Sequence, residues 1–197
     1  MANSVYPYLS GDGVPVARPL YQEEGDGSIP ISPLQLRFEY CPVEIAMQLN
    51  ALWHSRLPMT DRGNIDRNRR KSTYTAEFAN RYYATAIWTD PVAANRFSDG
   101  HLMMELRRLA IAANAPKNTA SRFIAWMVRD IRKRFPDLTR LVSYQDNDVH
   151  TGTIYKASGW VNTTVTDFED WDGPRHRAKA QSTASKTRWE LQLRKVA

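Results

Sequence analysis

The stretch APKNTASRF, residues 115–123, leads into the amphipathic run FIAWMVRDIRKRF and carries side chains suited to holding an anion. A turn that runs into a helix N-terminus presents backbone N–H groups and a partial positive charge, and it commonly binds phosphate. This turn has no glycine, so its side chains would have to contribute charge or helix caps, namely Lys117, Asn118, Thr119, Ser121 and Arg122. The alternative is a well-capped helix start whose Lys and Arg face solvent.

Asp146 is a candidate proton acceptor at the end of the apolar run LTRLVSYQD, where the sequence continues as SYQDND. Carboxylates at strand ends and in the loops beyond them are well placed for such a role. Asp148 is the second candidate. The alternative is an Asx turn that joins a strand to the next helix, and this alone would explain the DND sequence.

His54 ends one amphipathic stretch, and His150 begins a shorter one. A single His is more often a surface or capping residue than a metal ligand. If a metal is bound, His54 and Asp146 form a plausible pair, because imidazole and carboxylate together suit Fe, Zn or Mn. The sequence has no CxxC or HExxH pattern.

Glu105 belongs to the strand-like run HLMMELRRLAIA, where alternation predicts that it shares a face with Met103 and Arg107. Arg107 and Arg108 in tandem should then point to opposite faces. One of them therefore enters or borders the core and needs a partner, for which Glu105 is the candidate. A structural ion pair is the favoured interpretation of Glu105.

The elements that would position these residues alternate between helical and strand patterns. Ile45, Leu49, Leu52 and Trp53 fall on one face of a helix between Pro42 and Pro58. The basic stretch 61–71 is typical of a loop. Strands are predicted in 74–91, 101–112, 138–146, 160–168 and 187–196, a long helix after the 115–123 loop and a short helix before Gly159. This order predicts a mixed α/β fold with a central sheet flanked by helices.

Residues 1–35 hold five of the eleven prolines and four of the nine glycines, which predicts an extended N-terminal arm followed by one domain over residues 36–197. No apolar run approaches the roughly 18 residues that cross a membrane. The N-terminus lacks the basic and apolar parts of a secretory signal, and the single cysteine, Cys41, fits a reducing cytoplasm.

Positive charge is concentrated in two segments of the chain. The net charge is +6, and residues 173–197 hold seven Lys and Arg against one Glu, so this segment accounts for the whole excess. Residues 61–71 hold five basic and two acidic side chains. Two basic patches on a neutral body favour a polyanionic partner. The alternative is a solvated surface that keeps the protein soluble.

The order strand, phosphate-type turn, long helix, strand and short helix resembles the second half of the GNAT acyltransferase fold, and GTIYKASGW resembles the end of its last helix. Three stretches are similar to the Mom family of phage DNA-modification proteins: ELRRLAIAANAPKNTASRF, LVSYQDNDVHTGTIYKASGW and KTRWEL. LWHSRLP fits as well, because that family carries a His at a comparable point. The resemblance covers roughly residues 40–195.

The resemblance implies an enzyme that converts adenine in phage DNA to N6-carbamoylmethyl-adenine and so shields the DNA from host restriction enzymes. It implies a donor site at residues 115–123 for acetyl-CoA or another activated donor. It also implies that Tyr155 protonates the leaving group, that Asp146 takes the amine proton and that Glu105 is a further candidate base. The family analogy makes iron the candidate metal.

The expected partner is double-stranded or locally opened DNA, because adenine N6 is stacked inside the duplex and must be extruded for reaction. The basic patches would bind phosphates through Arg67, Arg69, Arg70, Lys71, Arg175, Arg177 and Lys179. Trp53, Tyr82, Tyr83 and Trp88 could stack on an extruded base, although strand aromatics are usually core residues. Two alternatives stay open: an acetyl-CoA-dependent N-acetyltransferase acting on a small amine or protein, and a DNA-binding protein without catalysis.

Overall fold

The computed structural model describes residues 8–9, 15–16, 29–54, 57, 60–91, 102–166 and 185–194. In chain order, the strands and helices are β1 (Tyr8–Leu9), β2 (Pro15–Val16), a 3-10 turn (Pro33–Gln35), β3 (Arg37–Tyr40), α1 (Val43–Trp53), α2 (Arg62–Asp66), β4 (Lys71–Phe78), β5 (Arg81–Thr89), β6 (Met103–Ile111), α3 (Thr119–Arg134), β7 (Arg140–Asp146), α4 (Thr153–Ala157), β8 (Val161–Thr166) and β9 (Lys186–Gln192).

Seven of the strands form one central sheet in the order β3-β4-β5-β6-β7-β9-β8. Neighbouring strands are antiparallel except β6 and β7, which are parallel and are connected through α3. A parallel pair requires such a crossover because the chain must return to the same end of the sheet. The sheet flanked by helices confirms the predicted mixed α/β fold.

Local sequence explains the β4–β5 hairpin and the helix α3. The β4–β5 hairpin turns at Ala79 and Asn80, whose φ angles of 48° and 58° match the left-handed conformation that two-residue hairpin turns require. In α3, Phe123, Ile124 and Met127 are fully buried and form the apolar stripe that packs on the sheet. Three basic residues complete the last turn of α3, where the helix dipole favours positive charge.

The two faces of the sheet bury different clusters. On the α3 side the core includes Trp88, Met104 and Leu106. On the α1 side Ile87 packs with Ala46 and Ile65. The two helices therefore pack on opposite faces of the same central strands, β5 and β6.

A β-bulge in β6 changes which residues share a face. Thr89 pairs with Glu105 and Ile87 pairs with Arg108, so that the segment between them on β6 holds one residue more than its partner strand. Because opposite residues of neighbouring strands face the same side, Glu105 and Arg108 share the α1 face. Arg107 is the residue without a partner on β5, so simple alternation does not hold across it, and the prediction that Glu105 and Arg107 share a face stays a prediction.

Two local predictions need correction. The basic stretch 61–71 is not simply a loop, since Asp61 caps α2 by accepting from the Gly63 amide and β4 begins at Lys71. The strand β3 was not predicted, because Arg37–Tyr40 is short and carries only a half-buried side. Among the described residues, no helix is long and apolar enough to cross a membrane.

Candidate active site

A cleft of about 190 Å³ opens between the loop before α3 and the short helix α4. Its walls are Ile111 at the end of β6, Pro116 and residues 118–121 of the loop and first turn, and Thr153, Ile154 and Ala157 of α4. The cleft thus lies at the turn-to-helix junction that the sequence predicts as an anion site. The lining includes Asn118, Thr119 and Ser121, whereas Lys117 and Arg122 are not part of it.

Asn118 gives this glycine-free loop the conformation that glycine usually provides. It is the N-cap of α3 with a φ of 66°, in the left-handed region that Asn tolerates better than most residues. Its side chain makes no capping hydrogen bond. The hydroxyls of Thr119 and Ser121 instead donate to the carbonyls of Pro116 and Asn118, at 2.7 and 3.1 Å. The Thr119 amide donates to the Pro116 carbonyl at 3.2 Å, whereas the amides of residues 120 and 121 have no intrahelical acceptor and suit an anion.

The two charged side chains that the sequence predicts as anion ligands, Lys117 and Arg122, do not line the cleft. Lys117 is exposed. The Arg122 guanidinium lies over the ring of Phe38, 5.8 Å from its centroid. Their role in holding a donor stays a prediction, while the geometry of the loop fits a phosphate through backbone amides.

The parallel strands β6 and β7 diverge next to this cleft. Their pairing runs from Met103 and Arg140 to Leu106 and Ser143 and then stops, although both strands continue. Beyond Leu106, the edge of β6 that faces β7 has no strand partner among the described residues. Ser143 is therefore the last residue of β7 that pairs with β6, and beyond it a gap in the ladder separates the two strands.

Tyr155 of α4 reaches the start of that gap. Its hydroxyl lies 2.9 Å from the Oγ of Ser143. Its ring stacks on Trp189, with centroids 5.4 Å apart and planes 15° apart, and meets Trp160 edge-on. Burial raises the pKa of Tyr155, and the hydrogen bond with Ser143 acts in the opposite direction. Tyr155 is thus a neutral phenol next to the cleft, and its role as an acid stays a prediction.

On the α1 side of the sheet, two half-buried groups, the Arg108 guanidinium and the His54 imidazole, influence one another electrostatically. The pKa of Arg108 is lowered to about 10 by burial and by Arg107, against the opposing effect of Glu105. The pKa of His54 is lowered to about 4 by burial and, to a smaller extent, by electrostatic repulsion from Arg108 and His150. His54 is therefore neutral at pH 7. Glu105, which the sequence predicts as the partner of an arginine, raises the pKa of Arg108 from three residues away on the same strand.

Asp146 stands at the end of β7 and forms the predicted Asx turn. Its Oδ1 accepts from the Asp148 amide at 3.0 Å, and its carbonyl accepts from the His150 amide at 3.1 Å. The carboxylate is half-buried, whereas Asp148 is exposed. The structural explanation of the DND sequence is thus present, and the catalytic role of Asp146 stays a prediction.

The predicted metal pair gains no support. Among the described residues, no three His, Cys, Asp or Glu side chains are grouped as metal ligands. His54 Nδ1 accepts a hydrogen bond from the Leu57 amide at 3.1 Å. Because neutral imidazole has one donor and one acceptor nitrogen, its proton then resides on Nε2, which is unsuited to a metal.

The predicted DNA-binding residues have different environments. Arg70 is buried and its guanidinium pairs with Asp90 and Asp137, so the prediction that it contacts phosphate is wrong. Lys71 bonds Asp66, and Arg67 bonds the Gly63 carbonyl and the Asn64 side chain. Arg69 is exposed. The second patch, with Arg175, Arg177 and Lys179, lies outside the described residues.

The four aromatic candidates for base stacking differ in how deeply they are buried. Tyr83 and Trp88 are fully buried in the core and cannot stack on an extruded base. Trp53, the last residue of α1, and Tyr82 of β5 are half-buried and pack against Ile45 and Leu49. Only these two of the four remain candidates.

Sequence reasoning missed three residues of the site. Trp189 Nε1 donates to Gln145 Oε1 at 2.8 Å, and Gln145 Nε2 donates to the His150 carbonyl at 2.5 Å. This buried Gln fixes both the ring that supports Tyr155 and the loop before α4. The available signal was the polar pair Ser143 and Gln145 at alternate positions of an apolar strand, which places two polar side chains on one buried face.

The fold is that of the GNAT acetyltransferases. Similar solved structures are a Bacillus subtilis acetyltransferase in complex with CoA (14% identity, TM-score 0.55, 80% of this chain and 98% of that chain), a GNAT family acetyltransferase from Elizabethkingia anophelis with acetyl-CoA bound (13%, 0.54, 80% and 98%) and the ribosomal-protein-S18-alanine N-acetyltransferase from Escherichia coli (11%, 0.55, 82% and 96%). The model of the Mom protein family matches residues 89–196, and the chain belongs to that family. No curated protein sequence matches the chain.

Proposed function

We propose that this protein is a transferase that modifies the exocyclic amine of adenine in phage DNA, giving N6-carbamoylmethyl-adenine and protecting the DNA from host restriction. The observation that carries the proposal is the cleft at the N-terminus of α3, which adjoins the gap between β6 and β7 in a member of the Mom family. The cleft suits a phosphate-bearing donor, and the gap would give its reactive end a path toward the opposite face of the sheet.

The donor side of the proposed reaction uses the cleft and Tyr155. The first-turn amides of α3 would hold the phosphate of a CoA-type donor, which supplies an activated carbon when bound. The residues fit such a group, because Asn118 gives the loop a left-handed turn and the hydroxyls of Thr119 and Ser121 point back to the loop carbonyls. Tyr155 would donate a proton to the departing atom as its bond to carbon breaks.

The acceptor side uses the α1 face. Adenine N6 is a weak nucleophile because its lone pair is delocalised into the ring, so removal of its proton assists attack. Asp146 would accept that proton while N6 forms a bond to the donor carbon. Glu105 is the second candidate base, although its influence on Arg108 supports the structural ion pair instead. Trp53 and Tyr82 would support the extruded base near His54.

A second function has specific support. The similar solved structures include acetyltransferases with CoA or acetyl-CoA bound, so acetyl transfer to a small amine or protein fits the same cleft. A DNA-binding protein without catalysis is the third possibility. The three predict different products: a carbamoylmethylated adenine, an acetylated amine and no product.

The decisive experiment is to express the protein, digest the DNA of the host cell to nucleosides and analyse them by mass spectrometry. We expect a modified deoxyadenosine whose mass increment identifies the transferred group. Asp146→Ala and Tyr155→Phe should each lower the amount formed by ~10²–10⁴-fold, the usual contribution of general acid–base groups. An unmodified deoxyadenosine profile from soluble, folded protein would exclude DNA modification, and normal activity of either variant would exclude its assigned role.

The donor cleft is tested separately by CoA binding in calorimetry. Ser121→Glu places a negative charge beside the first-turn amides and should weaken CoA binding by about tenfold or more. Ala125→Glu, exposed one turn further along α3, is the matched control and should bind CoA almost as the wild type does. Equal binding by both variants would place the donor elsewhere.

A further inference from the structure

The hydrogen bonds around Ser143 fix the direction in which Tyr155 holds its proton. Ser143 Oγ donates to the carbonyl oxygen of Leu106 at 3.2 Å, and a carbonyl can only accept. The serine hydroxyl has a single hydrogen, which is therefore committed to Leu106. The 2.9 Å contact between Ser143 and Tyr155 must then be a donation from the tyrosine hydroxyl to Ser143 Oγ.

The surroundings leave these two hydroxyls few other partners. Ser143 is 1% exposed and Tyr155 is 7% exposed, so bulk water does not compete for their hydrogen bonds. The Tyr155 ring is stacked on Trp189 and meets Trp160 edge-on, while Gln145 anchors the indole of Trp189. The ring therefore keeps its position, and rotation of the two O–H bonds is the remaining freedom.

We propose that Ser143 is a positioning residue that holds the Tyr155 proton at the point where β6 and β7 diverge and then stabilises the phenolate that proton transfer creates. This inference rests on the proposed function. As the leaving group departs with the electron pair of its bond to carbon, the Tyr155 O–H bond breaks and the proton bonds to the departing atom. Ser143 keeps its own proton and turns it from Leu106 to the phenolate oxygen. Water returns a proton to Tyr155 after product release.

Turning the Ser143 hydroxyl from the Leu106 carbonyl to the Tyr155 phenolate should cost little free energy. Leu106 and Ser143 are the last register pair of β6 and β7, so the Leu106 carbonyl lies at the edge of the gap. A hydrogen bond to a charged oxygen is stronger than one to a neutral carbonyl, which favours the turned state once the phenolate exists.

The kinetic test compares four proteins: wild type, Ser143→Ala, Tyr155→Phe and the double variant. Ser143→Ala should lower kcat for DNA modification by about 10- to 100-fold, with CoA binding unchanged. In the Tyr155→Phe background the same change should have no further effect, because there is no phenolate to stabilise. Ser143→Thr keeps a hydroxyl and should recover most of the rate.

Ser72→Ala is the matched control, since Ser72 is another buried serine whose Oγ donates to a strand carbonyl, on the distant strand β4. It should lower stability without lowering kcat. A Ser143→Ala variant with the wild-type rate would overturn the inference. So would an equal loss of rate in the Tyr155→Phe background, because a merely structural role predicts additive losses.

Thermal unfolding of the same four proteins tests the hydrogen bond without DNA or donor. Each single change should lower Tm, and the double variant should lower it by less than the sum of the two. Additive changes in Tm would overturn the inference whether or not the protein modifies DNA. Conversely, unmodified DNA from wild-type protein would overturn the proposed function even if the two residues are coupled in the melts.

Discussion

At the end of α1, His54 is held neutral because burial, and then repulsion from Arg108, lowers its pKa, while its Nδ1 accepts from the Leu57 amide. Because neutral imidazole with Nδ1 engaged carries its proton on Nε2, His54 can donate a hydrogen bond but is a poor base. Its chemistry is decided by these contacts rather than by its residue type.

The lowered pKa of His54 predicts how stability depends on pH. Its pKa is 6.5 in the unfolded chain and about 4 in the folded protein, so the unfolded state binds the proton first. The stabilising contribution is fully present above about pH 6.5 and is lost as the pH falls toward 4. His54→Asn, which retains an acceptor for the Leu57 amide, should show a smaller fall in Tm between pH 7 and 4. Thermal unfolding of the wild type and the variant at a series of pH values measures this difference. Parallel plots of Tm against pH for the two proteins would contradict the prediction.

Two adjacent arginines should behave in opposite ways. Arg70 is buried and paired with Asp90 and Asp137, so Arg70→Met should lower the free energy of unfolding by about 1.5–3 kcal/mol. Arg69 is exposed, and Arg69→Ala should change stability by less than about 0.5 kcal/mol while weakening DNA binding. Urea unfolding and DNA titrations of the two variants check this, and a stability loss at Arg69 with none at Arg70 would reverse the assignment.

At the scale of the elements, α4 is placed by two glycines with different surroundings. Gly152 precedes α4 with a φ of 75°, and a Cβ there would lie 2.4 Å from Cζ2 of Trp189 and 2.6 Å from Oε1 of Gln145. Gly159 follows α4 with a φ of 77°, and nothing lies within 4 Å of a Cβ there. The first glycine lets the chain approach the Trp189 ring that supports Tyr155, whereas the second only allows the helix to end.

This difference gives a matched pair of substitutions. Gly159→Ala should cost about 1 kcal/mol from its left-handed backbone alone. Gly152→Ala adds the overlap with Trp189 and should cost about 2–5 kcal/mol. It should also lower transferase activity by displacing the ring under Tyr155. Thermal melts and activity assays of both variants test this, and equal losses would show that Trp189 yields easily.

Elements with a clear period were predictable from the sequence, and those set by distant partners were not. The apolar stripe of α3 and the alternation in β7 identify both elements, and Pro42 and Gly159 bound their helices. The bulge in β6 could not be predicted, because it is defined by pairing with β5. Likewise, the network of Ser143, Gln145 and Trp189 joins positions separated by more than forty residues in the sequence.

For the molecule as a whole, charge is the property that links the fold to its expected partner. Residues 173–197 account for the net charge of +6. If these side chains contact phosphates, DNA binding weakens steeply with salt, with a log–log slope of about −0.9 for each contact. Replacing Arg175, Arg177 and Lys179 by Ala should therefore reduce the slope by about 3. Titrations at several salt concentrations measure it, and an unchanged slope would remove this segment from the DNA interface.

The bulge in β6 has a consequence for the evolution of the site. On its N-terminal half, odd-numbered residues such as Met103 and Glu105 face α1, whereas on its C-terminal half even-numbered residues such as Arg108 and Ala110 do. The strand therefore changes parity at Arg107, which is the one residue of this stretch without a partner on β5. Loss of Arg107 would restore simple alternation and leave Glu105 and Arg108 on the α1 face, because Leu106 alone would then separate them. This strand can therefore lose that one residue without changing which of its side chains face α1, so chain length is tolerated at this point where it would not be within a regular ladder.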